Sequence, residues 1–160
     1  MTEAFDGGSR SQPTRLRETP SWLITQTATL TQRLVGTALA GVDATRYQYA
    51  VLATVEEFGP ISQAELGRRC HIDRSDIVAT LNRLTAEGHI DRQQDPNDRR
   101  QNLVTLTRAG HRRLEQIAQA VDEAQTALLR DLPQTHRTQL VKTLQRILDG
   151  HAGSPVEPTR

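Results

Sequence analysis

Ser75, Ala79 and Asn82 have the size, polarity and spacing to meet the edges of base pairs. At 100° per residue, Ile77, Leu81 and Leu84 fall within about 60° of one another and define the buried stripe of a helix. Ser75, Ala79, Asn82 and Ala86 lie opposite, with Val78 and Arg83 on the flanks. A solvated helix face ordinarily carries Glu and Lys. This one is small and polar, which permits close approach, and Asn82 and Arg83 supply hydrogen bonds. Arg74 and Ser75, in the first turn, are placed to meet phosphate or bases with help from the helix N-terminus. Asp76 serves the N-terminus of its own helix or pairs with cytosine. Ser62 and Gln63, opening the preceding helix, complete the candidate DNA-facing set, together with Val78 and Ala79. The segment by itself leaves open an exposed helix of an ordinary bundle.

A second cluster, Asp95, Asp98, Arg99 and Arg100, sits between two short alternating stretches, HIDRQQ and NLVTLT. Asp-Pro and Asn-Asp are turn formers, so the region reads as a β-hairpin with an arginine-bearing tip. An Arg on such a tip suits the negative potential of a minor groove. Asp98 is expected to pair with Arg100 and hold that guanidinium extended. A solvated hairpin with no target is the alternative.

Several elements must position these residues. Thr19 is the expected N-cap of a first helix, with Pro20 at its first position and Gly41 as its stop. Thr45-x-x-Gln48 reads as a capping box opening a second helix, which breaks at Gly59-Pro60. Ser62-x-x-Glu65 opens a short third helix ending near Cys70. Asp73 caps the reading helix, Arg74 to about Glu87, and Gly88 closes it. Thr107 caps a long helix reaching about Arg130, and Pro133 starts a last one that Gly150 ends. The fold expected is mainly α with a small β-wing: a winged helix-turn-helix with N- and C-terminal dimerisation helices. The expected divisions are a disordered arm over 1–18, an N-terminal dimerisation helix over 19–44, a DNA-binding lobe over 45–107, C-terminal dimerisation helices over 108–150, and a loose tail over 151–160.

Net charge over the 160 residues is only +1, yet ten arginines face seven carboxylates between Pro60 and Arg113. Nineteen of the twenty basic side chains are Arg, which codon bias explains as readily as phosphate recognition does. No run of about 18 apolar residues exists to span a membrane, and the first residues do not resemble a signal peptide. The one cysteine suits a reducing cytoplasm. The histidines lack metal-ligand spacing, and no phosphate loop or nucleophile elbow is present. The expectation is a cytoplasmic non-enzyme without metal or cofactor.

The stretch Thr45 to Gly110 resembles the MarR family of bacterial regulators. Asp98-x-Arg100, then five residues, then Leu106-Thr107-x-x-Gly110 fits the family's wing signature. Gln48-Tyr49-x-Val51-Leu52, the run Gly59 to Leu66, and Asn82-Arg83-Leu84 support it. The resemblance implies a homodimer on a pseudo-palindromic operator in double-stranded DNA, usually a repressor released by a small molecule. Many relatives carry Asp at the position of Asn82. A nonspecific DNA-coating protein and a winged-helix protein-interaction module are the other readings kept.

Leu114, Ile117, Val121, Ala124 and Leu128 advance by three and four, a seam that wants a partner helix. Leu23, Leu30 and Leu34, with Leu128, Leu140, Leu144 and Ile147, are the expected dimer interface; packing within one chain is the alternative. Trp22, Arg46 and Tyr47 are candidates for the pocket of a small aromatic or phenolic effector. Cys70 is a candidate redox sensor if Arg69 and His71 lower its pKa, and otherwise a small residue at a helix end.

Overall fold

Residues 12–151 are described in the structure, a computed structural model; the parts of the expected arm and tail at 1–11 and 152–160 lie outside them. Within the expected arm, Thr14–Arg17 instead form a helical turn, α1. The Pro13 carbonyl accepts the N–H groups of Leu16 and Arg17, and Trp22 Nε1 donates to Gln12 Oε1 at 3.1 Å. Those bonds override the polar composition that suggested an irregular segment.

Helix α2 spans Pro20–Gly41. Pro20 fits its first position, where a missing N–H costs nothing. Thr19 is the N-cap residue, but its hydroxyl donates backward to the Arg15 carbonyl at 2.7 Å and caps nothing. Helix α3 spans Arg46–Phe58 and has the complete capping box: Gln48 N–H reaches Thr45 Oγ1, and Thr45 N–H reaches Gln48 Oε1. The box before α4, Gln63–Cys70, is half made. Ser62 Oγ accepts the Glu65 N–H, while the Glu65 carboxylate turns away to Arg68 and Arg69.

His71 stops α4 in the left-handed region, at φ 51°, and the chain re-enters a helix at α5, Arg74–Ala86. Gly88, at φ 72°, closes α5 as expected, because a residue without Cβ takes that conformation without strain. The hairpin follows as β2, Ile90–Gln94, and β3, Asn102–Leu106. A two-residue strand β1, Ile61–Ser62, escaped the sequence reading because no period shows in two residues. It pairs antiparallel with β3, giving the sheet order β1-β3-β2.

Helix α6 spans Arg108–Leu128 and α7 spans Gln134–His151, running through Gly150. The chain divides into two units, one to Gln125 and the other from Thr126. In the first unit, Leu39 of α2, Leu52 of α3, Leu66 of α4 and Leu81 of α5 share one core with Ile90 and Val104 of the hairpin. Leu114, Ile117 and Val121 of α6 belong to that same core, and Ala124 is buried too. The expected partner-seeking seam over these four is therefore interior to one chain. The lobe and the end of α2 supply enough apolar surface to cover them. Ile117 is fully buried, which is worth about 1.5–3 kcal/mol by transfer alone.

The other expected interface residues remain outside that core. Leu23 and Leu30 of α2 are 44% and 39% exposed, and Leu34 is half-buried. In the second unit, α7 has no buried residue. Leu144 and Ile147 are exposed, Leu148 is 70% exposed, and Leu128 and Leu140 are half-buried.

Candidate nucleic-acid interface

The reading helix is oriented by its own stripe. Ile77, Thr80, Leu81 and Leu84 are buried, so Ser75, Ala79, Asn82 and Ala86 are carried to the exposed side. Val78 is half-buried against the core, which leaves it at the edge of that face. Asp73 occupies the N-cap position, but its side chain accepts no cap hydrogen bond. The expected side-chain cap is absent, and the first-turn N–H groups of α5 remain available to an anion. Asp76 lies in this first turn, half-buried, and Arg74 and Ser75 are exposed beside it.

Asn82 and Arg83 both have protein partners: the i,i+4 spacing of Arg83 and Glu87 is legible in the sequence, whereas the contacts with Asp43 and Arg92 are not. Arg83 Nε donates to Glu87 Oε1 at 2.8 Å, and its Nη2 meets Asp43 Oδ2 at 3.4 Å. The Arg83 hydrogen bond holds the Glu87 carboxyl below its usual range. Asp43 comes from the turn after α2, forty residues away. Asn82 Oδ1 accepts from Arg92 Nη2 at 2.9 Å, linking α5 to β2.

The wing tip corrects the expected Asp98–Arg100 side-chain pair. Asp98 Oδ1 accepts the backbone N–H of Arg100 at 3.0 Å, and Oδ2 accepts from Gln101 Nε2 at 2.9 Å. Two residues of separation suit an Asx turn better than a bridge between side-chain ends. These bonds, Gln101's first, hold the Asp98 carboxyl below its ordinary range. Asp95 Oδ1 likewise accepts the Asn97 N–H at 2.8 Å, so both carboxylates shape the loop. Arg99 and Arg100 stay exposed at the tip.

Tertiary structure gathers four of the candidates around one cleft of about 780 Å³: Ser62, Gln63, Arg74 and Arg100. Its walls are the starts of α4 and α5 and the end of the wing loop. Arg68, Gln101 and Asn102 also line it, and sequence reading missed all three. Arg68 stands three residues from Glu65 and reads as a helix-surface ion pair, which it also is. Gln101 and Asn102 carry no sequence signal of their own. Asn82 and Arg83 do not line this cleft.

Of the three candidate effector residues, Arg46 and Tyr47 meet but Trp22 stands apart. Trp22 is near the start of α2, whereas Tyr47 follows its far end, about 28 Å along at 1.5 Å per residue. Arg46 instead stacks on Tyr47, 4.8 Å from the ring centroid, and donates to its hydroxyl. A separate hollow of about 530 Å³ lies between α2 and α6, lined by small side chains such as Ala38 and Ala120, with Arg33 and Glu123. Cys70 is not activated by its neighbours. Burial pushes its thiol up, opposed by the hydrogen bond with Thr54, and Arg69 is occupied with Glu65 and the Phe58 ring.

Known proteins share this architecture. The probable transcriptional regulator from Pseudomonas aeruginosa superposes with a TM-score of 0.72 at 31% identity, over 83% of this chain and 99% of that one. A mutant MarR from E. coli, complexed with operator DNA, gives 0.70 at 29% identity, over 80% and 92%. PcaV from Streptomyces coelicolor, in complex with its natural ligand, gives 0.72 at 25%, over 86% and 97%. Among curated relatives, the transcriptional repressor NicR from Pseudomonas putida is 28% identical over 105 residues, 66% of each chain. The chain spans about half to two thirds of the length of the curated relatives it matches. The MarR family model matches residues 40–101, which hold α3, the α4–turn–α5 pair, β2 and the arginine-bearing tip. With that match lying on the winged helix-turn-helix itself, the chain belongs to the MarR family.

Proposed function

We propose that this protein is a sequence-specific DNA-binding transcription regulator, acting as a homodimer on a pseudo-palindromic operator and released by a small aromatic effector. The observation that carries the reading is the cleft where Arg74 and Arg100 meet the openings of α4 and α5, beside an α5 face of small polar side chains. Helix N-termini and arginines suit phosphate, and a face without long side chains lets the backbone of α5 approach a major groove. Arg74, Ser75, Asp76, Val78 and Ala79 then lie along the groove, with Ser62 and Gln63 at its backbone and Arg99 and Arg100 towards the adjacent minor groove.

Exposed apolar side chains on α2 and α7 support the dimer, since singly exposed leucines are ordinary but a helix with none of its apolar residues buried wants a cover. Residues 19–44 and 108–150 take that role in this reading, although the first part of α6 also builds the lobe. Two recognition helices about 34 Å apart match one turn of DNA. An effector shifts the equilibrium by preferring one spacing. The hollow between α2 and α6 is the better candidate for it, because Trp22 and Tyr47 stand apart.

A mobility-shift assay on the DNA flanking the protein's own gene, with a salt titration, tests the reading. A specific shift at moderate salt is expected. A steep salt slope without sequence preference would favour a DNA-coating role, and no shift would favour a protein-docking module.

A further inference from the structure

We infer that Arg92 fixes which base Asn82 reads, by holding its amide with the oxygen on the guanidinium and the NH₂ donors turned to DNA. The inference rests on the proposal that α5 enters the major groove.

Arg92 stands on β2 opposite Val104 of β3, so the ladder holds its backbone. Its side chain is half-buried, with Nε enclosed and lacking a partner, while Nη2 reaches Asn82 Oδ1 at 2.9 Å. A guanidinium has donors only, so the amide atom facing it must be the oxygen. The orientation of Asn82 therefore follows from chemistry.

An unrestrained asparagine favours adenine, accepting from the N6 amino group through Oδ1 and donating to N7 through Nδ2. Here one lone pair of Oδ1 is taken by the guanidinium, and the positive charge beside it weakens the other as an acceptor. Because Asn82 is neutral, that charge is not cancelled at the contact. An amino group approaching from adenine or cytosine meets an electropositive end. Guanine offers two acceptors, O6 and N7, and thymine offers one, O4. The arrangement favours guanine first and thymine second. Arg92 is thus a positioning residue, acting on specificity through Asn82.

The test is selection from randomised duplex DNA by the full chain, with sequencing of the bound pool. The position read by Asn82 is the one whose preference disappears in Asn82→Ala. We expect guanine there for the wild type, over adenine by roughly tenfold. Arg92→Met, which removes the donor, shifts that position towards adenine, and Arg92→Lys, which restores one, returns it to guanine. Loss of folding alone lowers binding to every sequence and does not exchange one base for another. Adenine selected by the wild type at that position overturns the inference, whatever the variants do. So does a motif unchanged in Asn82→Ala, or one unchanged in a folded Arg92→Met. If the wild type enriches no motif at all, the DNA-reading proposal itself falls, a result distinct from these.

Discussion

Gly110 lies so close to His89 that a Cβ built on it would stand 2.0 Å from the His89 carbonyl oxygen. The same carbonyl accepts the Thr107 N–H, and the Thr107 hydroxyl donates to the Gly88 carbonyl while accepting the Gly110 N–H. These bonds clamp the start of α6 to the turn after α5. They give the Leu-Thr-x-x-Gly spacing its physical meaning: the threonine ties, and the glycine makes room.

Gly110→Ala should therefore destabilise the fold by about 3 kcal/mol, since the obstruction is backbone and cannot rotate aside. Urea unfolding reads this as a lower midpoint at unchanged slope. Gly36→Ala, in α2 with nothing within 4 Å of the added Cβ, should instead stabilise by up to about 1 kcal/mol and raise the midpoint. Equal effects would contradict the close approach.

At the wing, Asp98→Ala should free the Arg100 amide and weaken operator binding with little change in thermal stability. The pH dependence has a definite sign. The folded carboxyl is held below its ordinary range, so its ordering contribution is present above that range and lost as pH falls through the lowered value. The Arg100 amide resonance should hold steady through the ordinary carboxylate range and shift only below it. A transition above that range would mean that another group titrates beside the amide.

Cys70 should be a slow nucleophile. Burial raises its thiol pKa, so the neutral form is favoured in the folded chain. Its contribution to stability is present below the unfolded thiol's pKa and lost as pH rises through the folded value. Alkylation at pH 8 should run about tenfold slower in the native protein than in urea. A native rate equal to or above the unfolded one would revive the sensor reading.

Ile117 and Leu148 separate core from interface. Ile117→Ala should cost about 2–5 kcal/mol at any protein concentration, because the side chain is fully buried within one chain. Leu148→Asp, at a 70% exposed site of α7, should leave monomer folding intact and shift sedimentation from dimer to monomer at micromolar concentration. An unchanged dimer would place the interface elsewhere.

Arg100 carries the electrostatic prediction. Arg100→Ala should weaken binding to all operators similarly and reduce the slope of log affinity against log salt by roughly one. A change in base preference without a change in slope would make Arg100 a base reader instead.

Much of the local structure was written in the chain itself. The Thr45–Gln48 box, the stripe of Ile77, Leu81 and Leu84, the glycine closing α5 and the turn residues of the hairpin each act over a few residues, where period and capping chemistry suffice. The exposure of Ser75, Ala79 and Asn82 followed from that stripe alone. What bonds to what across the fold did not follow. Whether Leu114 and Ile117 face a partner or their own lobe depends on how much apolar surface distant elements present, which a single helix's period leaves open. Asp43 meets Arg83 across forty residues, and Arg92 meets Asn82 between a strand and a helix, contacts that no spacing encodes. The cleft joining Arg74 to Arg100 exists only because β3 brings the wing beside α4 and α5. Side-chain direction was the other thing left to tertiary structure. Asp98 has one carboxylate and several donors in reach, and the loop geometry sends it to the Arg100 backbone.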